Sequence, residues 1–338
     1  MKVPFWAPAR DFKKRESVYI EAFLKCGRNG DWILRGALKE FESKFADLVG
    51  TKFAVGVASG TDALILSLKA IGLEDGDEVI VPSYTFRATI EAVHHAGGVP
   101  VLVDLGDNWR EHITKNTKAV IPAHIAGEVM NWTIGPGDKH IVMIEDSCQA
   151  ITAKSLTGIA AAYSFYPAKI LGCFGDGGAI ATNDQELYEK LMKMRNHSKG
   201  DWRDFGYNSR LDNLQAAFLL EKLEYLPTDI KRRKDLAQRY DEGLKELASF
   251  IDTPKERAIY QDYIIDCGTP HLRDNLYDFL AMKGVETMKN GYDFPEETPK
   301  MGLAKAYEAR TLRLPCNPDV ASEEADYVIK RIKQFYTR

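Results

Sequence analysis

Apolar, largely β-branched runs alternate along the first half of the chain with segments whose apolar positions recur every three or four residues. Residues 53–58, 78–82, 99–104, 118–123 and 140–145 read as buried strands, and 163–166 and 179–182 continue the series. Between the first two runs, residues 61–71 carry Leu64, Leu68 and Ile71 at helical spacing, and 89–96 is a shorter helix candidate. Strand alternating with helix predicts an α/β fold, a mostly parallel central sheet with helices on both faces.

The texture changes near Leu226-Pro227, where the chain becomes rich in Lys, Arg and Glu. Helices are predicted at 229–247, 274–283 and 322–336, with an extended segment at 259–267. The division this predicts is a large domain over 1–226, opening with an N-terminal arm at 1–30, and a smaller α+β C-terminal domain over 227–338. The stretch 284–301 is a long, polar, proline-containing loop, of a kind often functional or mobile.

Composition excludes several classes of partner. The chain has 338 residues, 45% hydrophobic and 28% charged, enough for two cores. A net charge of −4 supplies no basic field for nucleic acid or an anionic membrane. The start lacks the apolar run of a signal peptide and no stretch is apolar enough to span a bilayer, so the expected compartment is the cytoplasm. Five cysteines are scattered without CxxC spacing, which argues against a disulfide framework or a zinc site. Cys148 and Cys173 flank the candidate site and read as small buried hydrophobes.

Three positions carry candidate chemistry. Ser59-Gly60-Thr61 joins a strand to an amphipathic helix, where free amides and the Thr61 hydroxyl suit a phosphate; an ordinary helix cap reads the same way. Asp146 follows the strand 140–145, where open α/β sheets bind ligands, and could either cap a helix or hold a positive ring nitrogen. Lys169 follows Pro167 just ahead of the glycine-rich run 172–178; alone it reads as a solvated loop lysine. A phosphate cradle, a strand-end acid and a lysine, in that order within one α/β domain, suggest an amine that holds an aldehyde cofactor as a Schiff base, with a carboxylate keeping a pyridine nitrogen protonated.

At this point the chain resembles a known family. The stretch 56–64 around Ser59-Gly60-Thr61, the stretch 76–86 ending Pro82-Ser83-Tyr84-Thr85-Phe86, Glu145-Asp146-Ser147-Cys148-Gln149-Ala150, Ser164-Phe165-Tyr166-Pro167-Ala168-Lys169 and Gly206-Tyr207-Asn208-Ser209-Arg210-Leu211 are similar, in order from about 31 to 226, to the DegT/DnrJ/EryC1/StrS sugar-nucleotide aminotransferases, a branch of the fold-type-I pyridoxal phosphate enzymes. The resemblance implies pyridoxal 5'-phosphate as cofactor. Lys169 would form the internal aldimine and shuttle the proton, and Asp146 would pair with the pyridine nitrogen. Gln149 would lie at the ring's phenolic oxygen, Phe86 would stack on the ring, and Gly60, Thr61 and Ser164 would bind the phosphate. Asn208 would reach the phosphate of a partner subunit, making a homodimer with shared active sites. From the residues alone, Phe86 could equally be core, and Gln149 and Asn208 loop hydrogen-bonders. His124 and His197 receive no role.

The resemblance implies transfer of an amino group from L-glutamate to a nucleotide-linked keto-sugar in two half-reactions. Two other readings stay open: a non-catalytic regulator or binding protein on the same fold, and an aminotransferase acting on a cyclitol ketone. The chain departs from the family pattern in a short stretch between 150 and 162. It also lacks the family's histidine-tyrosine-proline loop, with 284–295 in the comparable place. Relatives that dehydrate carry histidine at the lysine position; here it is Lys169.

Overall fold

The computed structural model describes residues 1–152, 155–199, 206–253, 259–289, 291 and 302–337. Seven strands form the main sheet: β1 (Phe53–Val57), β2 (Glu78–Pro82), β3 (Val99–Val103), β4 (Thr117–Val120), β5 (Val142–Asp146), β6 (Ala160–Ser164) and β7 (Gly178–Thr182). Their order is β1-β7-β6-β5-β4-β2-β3. The β3/β2, β2/β4, β4/β5 and β5/β6 pairs are parallel, and β7 runs antiparallel to both its neighbours. The expected mostly parallel α/β sheet is therefore observed.

Three strands sit differently from the sequence expectation; β4 ends at Val120, short of the expected 123. β5 begins at Val142 and includes Asp146, because the Asp146 N–H bonds the Pro122 carbonyl (2.9 Å) and Asp146 pairs with Ala162. β6 begins at Ala160 and ends at Ser164, ahead of the expected 163–166. Its start is an alanine run with no β-branched residue to announce a strand. Those alanines are fully buried, Ala160 and Ala162 toward one helical layer and Ala161 toward the other.

Helices cover both faces. On one side lie α3 (Gly60–Ala70), α4 (Arg87–His95) and α5 (Gln185–Met194); on the other lie α2 (Gly36–Val49) and the first half of α6 (Asn213–Leu244). Both layers are built by the alternation of apolar side chains along each buried strand. The expected N-terminal arm is mostly helical, α1 (Pro8–Asn29), with a non-helical residue at Arg15, and it packs along α6.

A second sheet is antiparallel, in the order β8-β10-β9, from β8 (Tyr263–Asp266), β9 (Met288–Lys289) and β10 (Thr311–Leu314). α7 (Pro270–Met282), α8 (Gly302–Arg310) and α9 (Ser322–Tyr336) accompany it. The 226/227 position falls inside α6, which continues through Pro227. Leu219 and Leu226 of α6 join the core under the large sheet, and Leu236 and Tyr240 join the core of the small one. Residues 290 and 292–301 of the predicted loop lie outside the described residues.

Candidate active site

The carboxyl ends of the parallel strands converge on one cavity of about 540 Å³. Gly60 and Thr61 follow β1, Phe86 follows β2, Asp146 ends β5 and Ser164 ends β6. Gln149 and Lys169 come from the loops after β5 and β6, and all seven residues line the cavity. Asn208 does not line it; its side chain is exposed, and it bridges to Asn196. Open α/β sheets place their ligands here, outside the carboxyl edge.

The turn from β1 into α3 presents donors. Ser59 is extended and its Oγ accepts from the Asp62 N–H (3.0 Å). The first helical bond runs from Ala63 N–H to Ser59 O (3.0 Å), so the Gly60 and Thr61 amides precede the helical ladder. Two glycines allow this turn to sit where it does. A Cβ on Gly60 would meet Cys148 Sγ and Ser164 Cβ at 2.8 Å, and one on Gly178 would meet the Ser59 carbonyl at 2.4 Å. Ser59 caps the helix, as one sequence reading expects, while Gly60, Thr61 and Ser164 line the cavity and leave room for the other.

Asp146 closes the opposite chemistry. It is buried, with Oδ2 accepting from Thr89 Oγ1 (2.7 Å) and Oδ1 from the Cys148 N–H (3.1 Å). Thr85 Oγ1 lies 2.8 Å from Thr89 Oγ1 and extends the chain of hydroxyls. Two neutral donors fix the carboxylate without neutralising it. Gln149 is oriented by its neighbour: Oε1 accepts from the Ala126 N–H (2.9 Å), which leaves the Nε2 donor for the cavity. Lys169 is partly buried, and its N–H bonds the Tyr166 carbonyl (2.8 Å). Burial and the nearby Asp146 raise the Cys148 thiol well above its usual value, and the positive charge of Lys169 opposes them. Cys148 is thus a half-buried wall of the site. Phe86 is 53% exposed and faces the cavity, so it is not core.

The donor set fits pyridoxal phosphate. Backbone amides at a helix start with two hydroxyls suit a phosphate dianion. An anionic carboxylate suits a protonated ring nitrogen, an amide N–H suits a phenolate, and an amine suits an aldehyde. The cavity also has walls that sequence reasoning missed. His124 lies in it, buried, its Nδ1 accepting from the Met130 N–H (3.1 Å). Arg233 enters from α6, Gln261 and Asp262 from the segment leading into β8, Arg313 from β10, and Trp6 from the N-terminal segment. Nothing in their local sequence marks them, because distant parts of the chain assemble this wall.

The family model of the DegT/DnrJ/EryC1/StrS aminotransferase family matches residues 14–333. The chain is 33% identical to a dTDP-3-amino-3,4,6-trideoxy-alpha-D-glucose transaminase of Streptomyces venezuelae, over 100% of this chain and 97% of that protein. It is also 33% identical to a pleiotropic regulatory protein of Geobacillus stearothermophilus, over 99% of each. The crystal structure of NtdA from Bacillus subtilis with bound cofactor PMP superposes with a TM-score of 0.91 at 28% identity, covering 100% of this chain and 86% of that one.

Proposed function

This chain belongs to the DegT/DnrJ/EryC1/StrS aminotransferase family, and from that premise we propose that it moves an amino group from L-glutamate to a keto-sugar carried on a nucleotide, with Lys169 as the reacting amine. It is a pyridoxal-phosphate-dependent aminotransferase. The observation that carries the reading is the shared cavity in which Lys169, Asp146 and the Gly60-Thr61 amides meet.

When bound, pyridoxal phosphate supplies an electron sink for the charge left on the substrate carbon. The chain's own residues do the rest. Gly60, Thr61 and Ser164 would hold the phosphate, Phe86 would cover the ring, and Gln149 Nε2 would donate to the phenolic oxygen. Asp146 would keep the proton on the ring nitrogen; Thr89 and the Cys148 amide hold its carboxylate in place. Lys169 Nζ would take the α-proton of the amino donor and then give it up again, as general base and then acid, before water releases the donor as its 2-oxo acid and the amino group stays behind. The same steps in reverse deliver the amine to the keto-sugar.

The active unit is a homodimer in which the partner subunit's Asn208 completes the phosphate site. Two features support this. Asn208 is outside its own chain's cavity. Phe12, Ile20, Phe23 and Leu24 form an exposed apolar stripe on α1, next to exposed Trp32 and Ile33.

Lys169→Ala will abolish both turnover and the visible absorbance of the loaded protein, and a turning-over Lys169→Ala protein refutes the reading. Asp146→Ala will still take up cofactor but lose roughly two to four orders of magnitude in kcat, the scale of removing a preorganised charge. The regulatory name of one relative favours a second reading, a binding protein without turnover; a protein that takes up no added cofactor would support it. Assaying glutamate against nucleotide-linked keto-sugars and cyclitol ketones separates the two acceptor classes.

A further inference from the structure

We propose that Gln261 is a positioning residue for Lys169, and that Arg233 holds Gln261 in that role. The proposal rests on the reading of Lys169 as the reacting amine. Lys169 lies in an irregular segment after β6, tied within that segment by its own N–H to Tyr166 O. Its side chain has four rotatable bonds, so the reach of Nζ depends on where the backbone is held.

One side chain from the far part of the molecule brackets that backbone. Gln261 Oε1 accepts from the Ile170 N–H (3.1 Å), and Gln261 Nε2 donates to the Ala168 carbonyl (3.0 Å). Lys169 sits between the two bonds. A primary amide can accept and donate at once, whereas a carboxylate only accepts and a thioether does neither usefully. Gln261 is buried, so neither bond is readily exchanged for water.

Gln261 is itself anchored. Arg233, buried on α6, donates from Nη1 to the carbonyls of Tyr260 (3.2 Å), Gln261 (3.0 Å) and Cys316 (2.9 Å). The neighbouring acid, Asp262, pairs with Arg313 at 3.0 Å. Arg233 Nη1 thus ties together backbone that leads into β8 and out of β10. The path from α6 through Arg233 and Gln261 to Lys169 ties the small sheet to the amine. Catalytic groups misplaced by about 1 Å can lose a hundredfold in rate, and a bracket on both sides of Lys169 resists such a shift.

Two variants test this, Gln261→Met and Gln261→Glu. In cofactor-free protein, hydrogen exchange resolved to single residues should quicken at the Ile170 amide by about tenfold or more in Gln261→Met, as expected for loss of local protection. The Cys173 amide, bonded to Phe165 O (2.8 Å), serves as the unchanged control. In loaded protein, kcat should fall roughly 10- to 100-fold, with KM for both substrates within about threefold. A protonated carboxyl in Gln261→Glu can again accept and donate, so the rate of that variant relative to wild type should rise as pH falls toward ~5. Unchanged Ile170 exchange, an unchanged kcat, or a flat pH ratio would each overturn the proposal. Lys169→Ala run alongside separates the two claims: an active Lys169→Ala protein removes the underlying reading, whereas an inactive one beside a normal Gln261→Met removes only the bracket.

Discussion

Glu145 and Asp146 are adjacent in sequence and do opposite work, because side chains alternate across a strand. Asp146 points into the cavity, while Glu145 is held behind it by His124 Nε2 (3.3 Å), Thr157 Oγ1 (2.7 Å) and the Thr157 and Gly158 amides (2.8 and 2.9 Å). Burial pushes the Glu145 carboxyl up, but these hydrogen bonds outweigh it and hold the group at about 2, against an ordinary 4.5. A carboxylate lowered on folding contributes stability that is fully present above its unfolded value and is lost as pH falls through the folded one. Between pH ~5 and ~2, the wild type should therefore lose roughly 3 kcal/mol more stability than Glu145→Gln. Denaturant titrations at the two pH values measure the difference, and parallel losses in the two proteins would contradict the assignment. The sequence named Asp146 as the chemical residue, but offered no sign that its neighbour and His124 form the support beneath the strand.

Among elements, the junction of β1, α3 and β7 decides whether an anion site exists. β7 is small and buried along its length, and Gly178 lets the Ser59 carbonyl lie against it. In Gly178→Ala the new Cβ would lie 2.4 Å from that carbonyl, which only a backbone shift can relieve. The expected cost is about 3 kcal/mol in stability, with cofactor affinity weakened by at least about tenfold as the Gly60 and Thr61 amides move. Thermal unfolding and cofactor titration read the two effects; an unaltered affinity would show that the turn tolerates displacement. The strands of the large sheet were legible because buried parallel strands are uniformly apolar. The start of β6 was not, since its alanines serve close packing under α3 rather than strand propensity. α1, α2 and the first half of α6 also escaped notice, although α2 carries a regular stripe, Leu38, Phe41, Phe45 and Val49, buried in a single core.

At the scale of the whole molecule, the exposed apolar face of α1 and the position of Asn208 make one prediction together. If each site needs the partner subunit's Asn208, then Lys169→Ala and Asn208→Asp proteins should each be inactive alone. Unfolded together and refolded as a mixture, they should recover about a quarter of the wild-type sites, since half the dimers are mixed and one site in each is intact. No recovery despite demonstrated mixed dimers would place Asn208 outside the shared site. Light scattering gives the mass of the assembly independently.

The alternation of strand and helix along the chain was enough for the α/β class, and the family resemblance carried by the ordered motifs implied the cofactor, because a glycine turn, a strand-end acid and a lysine are legible as local chemistry. Tertiary structure alone decided which side chains hold those three in place. Thr89 Oγ1 bonds Asp146, the Ala126 amide orients Gln149, and Gln261 bonds the backbone on each side of Lys169, every partner distant in sequence. Such bonds depend on where folded elements meet, and no spacing within a motif encodes that.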